Sequence, residues 1–275
     1  MSEAGAGSGL IDVVHRLPGK RVVVLGDVML DRYVYGKVDR VSPEAPVPIM
    51  HFNGQDNRLG GAANVAADLA ALGCEASMVG TCCDDDEAGR DLRKMLGELG
   101  VDTTALLHTP GRCTTSKVRM VGVIENRKGQ LLRLDYEDVS PVDDAIGDAL
   151  LERLAEQLKD ADVLCIEDYN KGACSKRVCQ GAIRLAKEAG VPVLVDPARI
   201  RDYAKYAGAT LLKLNRPETR MATGLPVETD ADVEAAATKL LGELNLEAIV
   251  VTVDKDGAFL ATKDGPRQRV ASKAR

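Results

Sequence analysis

Runs of aliphatic residues recur along this chain, and a segment of helical composition follows most of them. The clearest run is Arg21–Gly26 (RVVVLG), where consecutive Val and Leu without polar alternation are typical of a strand buried on both faces. Further strands are predicted at residues 76–79, 163–166, 192–195, 210–214 and 248–253, and helices at residues 60–72, 87–99, 142–158, 176–189 and 231–244. This alternation indicates an α/β fold, a doubly wound, mostly parallel sheet with right-handed crossovers.

Two β-rich segments interrupt the alternation. Residues 47–52 (VPIMHF) and 114–134 (TTSKVRMVGVIENRKGQLLRL) are rich in strand formers, and the second carries a hairpin signal at residues 126–129. Placed in the main sheet, they would break its order. We therefore expect a small β lid over one end of the sheet, with strands near residues 34–52 and 113–135.

Charge and hydropathy exclude several classes of protein. The 275 residues include 36 Lys and Arg against 42 Asp and Glu, a net charge of −6, and the basic residues are scattered. Neither nucleic acid nor a membrane surface is therefore an expected partner. No apolar run approaches the roughly 20 residues that span a bilayer, and the amino terminus (MSEAGAGSG) lacks the basic and apolar regions of a signal peptide. We expect a cytoplasmic protein.

The cysteines do not form a recognisable pattern. There are seven, without a Cys-x-x-Cys pair, and the three histidines stand in unrelated contexts. A structural zinc site and a disulfide framework are both disfavoured, so we interpret the cysteines as reduced thiols.

Polar residues after the first strand suggest a ligand site, because ligands of open α/β sheets bind at the carboxyl ends of the strands. Asp27 and Asp31 (GDVMLD) follow that strand, and Gly60-Gly61 precede a helix with Asn64 in its first turn. Taken singly, each aspartate could be a helix cap or a solvated loop carboxylate. Together, two carboxylates, a backbone free of side chains and an amide suit a sugar with many hydroxyls.

Longer motifs carry a resemblance to a known family. GGAANVAADLAALG (residues 60–73) resembles the first signature of the ribokinase-like (PfkB) sugar kinases, and the segment that starts VGTCCDDDEAG resembles the part that follows it. GDVMLDRYVYGKVDRVSPEAPVPI, LLRLDYE, EDYNKGA, VPVLVDPA and GATLLKLNRPE resemble a narrower branch, which uses ATP to phosphorylate D-glycero-D-manno-heptose 7-phosphate at its anomeric carbon. The resemblance implies a kinase domain at residues 21–275 after a flexible amino terminus and lead-in at residues 1–20.

The resemblance assigns residues to the sugar side of a site. Asp31, Gly60, Gly61 and Asn64 match sugar-holding positions, and Asp27 shares their loop. Lys171 of DYNKG, with Asp168 beside it, matches a position suited to the 7-phosphate or the transferring group, although a lone lysine at a strand end is commonly a solvated charge. Two arginines on the lid strands are candidate phosphate contacts, Arg119 and Arg133.

The nucleotide side is implied by two further motifs. Asn215 and Glu218 (NRPE) match the family's Asn-x-x-Glu, which organises Mg²⁺ and phosphates, with Glu218 acting through water. The same residues could form a capping box at a helix start, and both roles are compatible. VTVDKDG resembles a Thr-x-Gly-x-x-Gly turn formed by Thr252, Asp254 and Gly257, with Asp254 in place of the first glycine.

Two departures from the family are visible. Cys83 stands where the signature normally has glycine, and the sequence to Arg275 contains no Gly-Ala-Gly-Asp, the motif that supplies the family's anion hole and catalytic base. We therefore expect the base to lie beyond Arg275, and the 275 residues alone to bind ligands weakly and to lack appreciable kinase activity. A kinase for another sugar or nucleoside, and a catalytically silent binding protein, remain alternatives. We also expect a homodimer formed through the lid strands, whose apolar residues have no obvious second layer.

Overall fold

The computed structural model describes residues 11–124 and 127–272. Within these residues, nine strands form the main sheet in the order β13-β12-β11-β10-β9-β8-β1-β4-β5. Seven of them are parallel, and β12 and β13 add an antiparallel edge. The strands are β1 Arg21–Gly26, β4 Glu75–Cys82, β5 Leu106–His108, β8 Val163–Glu167, β9 Val193–Asp196, β10 Leu211–Asn215, β11 Ala248–Thr252, β12 Ala258–Thr262 and β13 Arg267–Val270. The predicted doubly wound, mostly parallel α/β fold is confirmed.

Helices cover both faces of the sheet around β1. They are α1 Ala62–Ala71, α2 Glu87–Glu98, α3 Asp144–Gln157, α4 Lys176–Glu188, α5 Arg216–Thr223 and α6 Asp230–Glu243. Val23 and Leu25 of β1 pack in the core layer under α3, α4 and α6, whereas Val22 and Val24 pack in the layer under α1 and α2. This burial on both faces is what the unbroken apolar run of β1 predicts.

Side-chain caps set the starts of several helices. Asp143, Ser175 and Thr229 each accept a hydrogen bond from the backbone N–H three residues later, at the starts of α3, α4 and α6. Such caps satisfy backbone donors that a helix leaves free at its amino end. No helix among the described residues is long and apolar enough to cross a bilayer.

The predicted lid is a separate four-stranded sheet in the order β3-β2-β6-β7. Its strands are β2 Val28–Val41, β3 Pro48–Gly61, β6 Ser116–Ile124 and β7 Arg127–Tyr136. β2 pairs in parallel with β6, and the two outer pairs are antiparallel. The lid is longer than predicted, because β2 starts directly after Asp27 and β3 continues to the start of α1.

Three local predictions need correction. Gly60 and Gly61 end strand β3 and do not begin the following helix, and Asp31 lies in β2 rather than in a loop. Gly129 lies inside β7, and Asn126 of the predicted hairpin turn is outside the described residues. The short strand β5 and the β12–β13 edge were not predicted.

Candidate active site

Polar residues collect where the parallel strands end. Asp27 follows β1, and Glu167, Asp196, Asn215 and Thr252 are the last residues of β8, β9, β10 and β11. Because these strands are neighbours and parallel, their ends share one edge of the sheet, with the lid rising from β1. The sugar-side residues lie at the lid end of this edge and the nucleotide-side residues at the other.

The diglycine lets Asp31 and the end of β1 approach α1 closely. The Asp31 carboxylate lies over Gly60, where an added Cβ would be only 2.8 Å from Asp31 Oδ2. Gly61 has φ 56°, and a Cβ there would be 2.4 Å from the Asp27 carbonyl oxygen. Glycine is therefore required at Gly61, whereas a side chain at Gly60 would displace the Asp31 carboxylate. Asn64, in the first turn of α1, is exposed, and its amide donates to Asp68 at 3.0 Å.

Asp27 holds the loop that follows β8. Its carboxylate is 2% exposed and accepts backbone N–H groups from Tyr169 at 2.9 Å, Lys171 at 2.9 Å and Ala173 at 3.0 Å. Burial raises the pKa of Asp27, although these three hydrogen bonds act in the opposite direction. The geometry gives Asp27 a positioning role. Its direct contact with a sugar stays a prediction.

Asp168 is also bound by the protein itself. It is 3% exposed, accepts the Tyr206 hydroxyl at 2.7 Å and the Asn170 N–H at 2.8 Å, and forms an ion pair with Lys205. Burial and the neighbouring Asp168 carboxylate raise the pKa of Tyr206. Asp168 thus holds the same loop through the N–H of Asn170. Its direct contact with substrate stays a prediction.

Lys171 connects this loop to the lid. Its Nζ lies 2.7 Å from Oε2 of Glu137, the residue directly after β7, and its side chain is largely buried. Sequence reasoning missed Glu137, although it closes the LLRLDYE motif. The three hydrogen bonds that Asp27 accepts from this loop, here called the Asp27 clamp, orient the backbone of Lys171. Glu137 orients its ammonium group.

One face of the lid carries most of the charge in the site. Arg119 forms a 2.5 Å contact with Asp31, and this carboxylate raises the pKa of Arg119. Arg133 is the cross-strand neighbour of Arg119 and pairs with Asp135 at 2.8 Å. The structure therefore brings both predicted arginines to the lid face that carries Asp31. Sequence reasoning missed three residues on this face, which alternation along β2, β3 and β6 could have indicated, namely Tyr33, Arg58 and Lys117.

The nucleotide side begins with a capping box. Asn215 Oδ1 accepts the Glu218 N–H at 2.9 Å, and Glu218 Oε2 accepts the Asn215 N–H at 2.8 Å. The capping interpretation of these residues is therefore confirmed. Their contact with nucleotide and metal stays a prediction.

The Thr252 turn holds Asp254, which replaces the first glycine of the motif, in a backbone conformation that favours glycine. Asp254 has φ 54° and Gly257 has φ 101°, so both glycine positions of the motif are in the left-handed region. Arg216 donates to Asp254 at 3.1 Å, which helps hold the turn against α5. Thr252 is the register partner of Asn215, so this turn lies beside the capping box.

Oxygen donors at this end fit a hydrated magnesium ion. Glu218 has a second carboxylate oxygen beyond the one used in the capping box. Burial, followed by the negative charge of Glu218, raises the pKa of the Tyr203 hydroxyl. Mg²⁺ prefers oxygen ligands and retains water, so the second oxygen of Glu218 suits a water molecule of its hydration shell.

Glu167 is a buried acid in the middle of the edge. It is 9% exposed, and burial, together with Asp196 beside it, raises its pKa to about 8. Asp196 itself pairs with Lys213 at 2.9 Å. The motif comparison did not single out Glu167, because its significance comes from burial.

A second polar cluster lies at the ends of β4 and β5. Cys83, Asp85 and His108 each place a potential ligand atom within 4.8 Å of the others. His108 Nδ1 accepts the Asp84 N–H at 3.0 Å, so this ring nitrogen already serves the loop. Cys83 and His108 are therefore closer together than their sequence positions suggest.

Comparisons with known proteins identify the family of this chain. Residues 20–274 match the model of the pfkB family of carbohydrate kinases. The chain is 41% identical over 268 residues to the Bifunctional protein HldE of Paramagnetospirillum magneticum, covering 98% of this chain and 54% of that protein. It is 45% identical over 261 residues to the Bifunctional protein HldE of Caulobacter vibrioides, covering 93% of this chain and 52% of that protein. The chain thus spans about half the length of the curated relatives it matches.

Solved structures show the same fold. Arabidopsis thaliana ribokinase complexed with ribose and ATP aligns with a TM-score of 0.68 at 19% identity, covering 92% of this chain and 78% of that one. Escherichia coli phosphofructokinase-2 in complex with fructose-6-phosphate aligns with a TM-score of 0.71 at 17% identity, covering 92% and 80%. With the family match across nearly all of its length, this chain belongs to the pfkB family of carbohydrate kinases.

Proposed function

We propose that this chain is the kinase part of a protein that transfers the γ-phosphoryl group of ATP to the anomeric hydroxyl of D-glycero-D-manno-heptose 7-phosphate. The product is the 1,7-bisphosphate used for ADP-heptose synthesis. The observation that carries the proposal is the sugar side of the site, where Asp31 lies over the diglycine and cationic side chains surround it. The similarity to HldE proteins supports it.

In this proposal, separate groups of residues bind the sugar phosphate and the nucleotide. Asp31 and Asn64 hydrogen-bond sugar hydroxyls, while Gly60 and Gly61 let the sugar approach the backbone. Arg119, Arg133 and Lys171 supply positive charge for phosphate groups. Asp27 and Asp168 keep the Lys171 loop in place.

The nucleotide lies between α5 and the Thr252 turn. Glu218 would hold Mg²⁺ through water, with Asn215 beside it, and Thr252, Asp254 and Gly257 would form the turn against the phosphates. When bound, the metal offsets phosphate charge. Asn215 and Glu218 keep the start of α5 fixed, and the positive end of the helix dipole there favours the negative charge of the phosphates. Positioning and electrostatics account for most catalysis of this kind.

Two further parts of the proposal concern the protein as a whole. The lid carries exposed apolar residues on its outer face, including Leu132 and Tyr136 at 50% and 54% exposure, and we place a homodimer contact there. A cytoplasmic location, where ATP is available, completes the proposal.

Calorimetry on the purified chain tests the substrate. We expect heptose 7-phosphate to bind more tightly than ribose, fructose 6-phosphate and adenosine, and Asp31→Asn to weaken this binding by about tenfold through loss of a charged hydrogen bond. Asp56→Asn, which changes a lid carboxylate paired with Arg58, serves as the matched control. Tighter binding of another compound in the panel, or none of heptose 7-phosphate, would overturn the assignment.

A further inference from the structure

Lys117 occupies a central position on the sugar side of the lid. It lies on β6 and is the register partner of Asp31 on β2. Its side chain is half-buried, and its Nζ contacts the thioether sulfur of Met29 at 3.4 Å. The Met29 side chain in turn packs against Gly61, where an added Cβ would be 3.1 Å from Met29 Cγ. Lys117 is thus the cross-strand neighbour of Asp31, and Met29 lies between its ammonium group and Gly61.

Lys117 differs from the neighbouring cationic side chains in the group that it contacts. Each of the others has a carboxylate, in the pairs Arg58 with Asp56 at 3.0 Å, Arg119 with Asp31 at 2.5 Å, Arg133 with Asp135 at 2.8 Å and Lys171 with Glu137 at 2.7 Å. In the described ranges, no carboxylate lies within 4.0 Å of Lys117 Nζ. A thioether is a weak acceptor for an ammonium group that has three donors.

The carboxylates next to Lys117 on this face are already paired with arginines. Asp31, Asp56 and Asp135 pair with Arg119, Arg58 and Arg133, so Lys117, whose register partners are Asp31 and Asp135, has no carboxylate of its own among the described residues. A half-buried ammonium group loses hydration that its protein contacts do not replace. An incoming dianion would restore those interactions without breaking an existing ion pair, whereas Arg119 or Lys171 would have to share a carboxylate partner.

We propose that Lys117 is the principal contact for the phosphate group of a phosphorylated sugar substrate. The inference rests on the proposed sugar-kinase function and deepens it, because it assigns the preference for a sugar phosphate over a free sugar to one side chain. Asp31, one strand away, then holds a hydroxyl of the same molecule. Arg119 and Arg133 provide the surrounding positive potential.

Binding of a matched ligand pair tests this role. We expect Lys117→Met to weaken binding of heptose 7-phosphate at least about tenfold and to leave binding of unphosphorylated heptose unchanged, because a charge-assisted hydrogen bond is lost only with the phosphate. Lys117→Arg should retain most of the preference. Lys37→Met is the control, since Lys37 is an exposed lid lysine near Asp39. An unchanged phosphate preference in Lys117→Met would overturn the inference while the proposed function stands.

A second measurement needs no sugar. Acetylation of lysines by a water-soluble reagent, read by mass spectrometry, should be slowed at Lys117 but not at Lys37 by millimolar inorganic phosphate. Equal modification rates at Lys117 with and without phosphate contradict the inference. Protection of Lys117 in a protein that binds no heptose 7-phosphate would instead reject the proposed substrate and retain the anion contact.

Discussion

At the scale of single residues, the carboxylates of the site differ in what they bind. Asp27 and Asp168 are buried and directed at the protein, whereas Asp31 faces Arg119 in a partly open position. The sequence indicated all three as site residues, because they sit in motifs at strand ends. The sequence could not show which of these carboxylates position a loop and which bind a ligand. That difference depends on a loop more than 140 residues further along the chain, which folds back onto Asp27.

Asp27→Ala should destabilise the fold. The substitution leaves three buried N–H groups without an acceptor, and each such group costs about 1 to 3 kcal/mol. We expect a loss of at least about 2 kcal/mol in the free energy of unfolding, measured by chemical denaturation. Asp31→Ala is the matched comparison and should reduce sugar binding with little change in stability. Equal stability of the two variants would contradict the role given to Asp27.

Glu167 should make stability depend on pH. Its folded pKa of about 8 lies above the ordinary value of 4.5, so the folded state holds a proton that the unfolded state releases between these values. Protonated Glu167 makes its full contribution to the free energy of unfolding below its ordinary pKa of 4.5. This contribution is lost as pH rises towards 8, at up to about 1.4 kcal/mol per pH unit.

Glu167→Gln should remove this component. Relative to the unchanged protein, the variant is expected to gain stability between pH 5 and pH 8, which denaturation curves across that interval would show. Asp196→Asn should reduce the same component in part, because the Asp196 carboxylate adds to burial in raising the pKa of Glu167. A difference that is constant with pH would contradict the raised pKa.

At the scale of elements, apolar runs and caps predicted most of the main sheet. β1 and the capping box of α5 match their sequence patterns, because local propensity and tertiary burial agree there. β2 was missed over much of its length, because a lid strand with one polar face lacks a continuous apolar run. β5, with three residues, is too short to carry a pattern.

The Thr252 turn gives a prediction at this scale. Asp254→Gly should be tolerated, because glycine adopts φ 54° without strain. Gly257→Ala should destabilise the turn, because its Cβ would lie 2.0 Å from the Val270 carbonyl oxygen. We expect ATP-analogue binding to persist in the first variant and to fall in the second, as measured by calorimetry. Loss of binding in Asp254→Gly alone would show that the carboxylate, rather than the turn, matters.

At the scale of the whole molecule, the lid has two unlike faces. One carries the charged site, and the other lines a groove of about 500 Å³ with Val34, Val118, Met120, Leu134 and Tyr136. The sequence predicted the lid from its β-rich segments and the family from its motifs. Alternation indicates the shared face only near Asp31, because register shifts interrupt it beyond Tyr35 of β2 and Met120 of β6.

The proposed dimer depends on the apolar face. Leu132→Asp combined with Leu134→Asp should give a monomer, because charged side chains oppose burial of this face. Light scattering at tens of micromolar chain would measure the change, on the general affinity scale. Arg133→Gln, on the opposite face of the same strand, is the control and should leave the mass unchanged. A monomer in the unsubstituted protein would reject the lid dimer.

The Asp27 clamp also has a consequence for how the chain folds. Its hydrogen bonds join residues that are 142 to 146 positions apart in the chain. They form only after the intervening segment, which includes the lid, α1 and α2, has closed into a loop. Contacts of such large sequence separation are late and slow to form, because loop closure must precede them. The amides of Tyr169, Lys171 and Ala173 should therefore gain protection from hydrogen exchange late in refolding, after those of β8 itself.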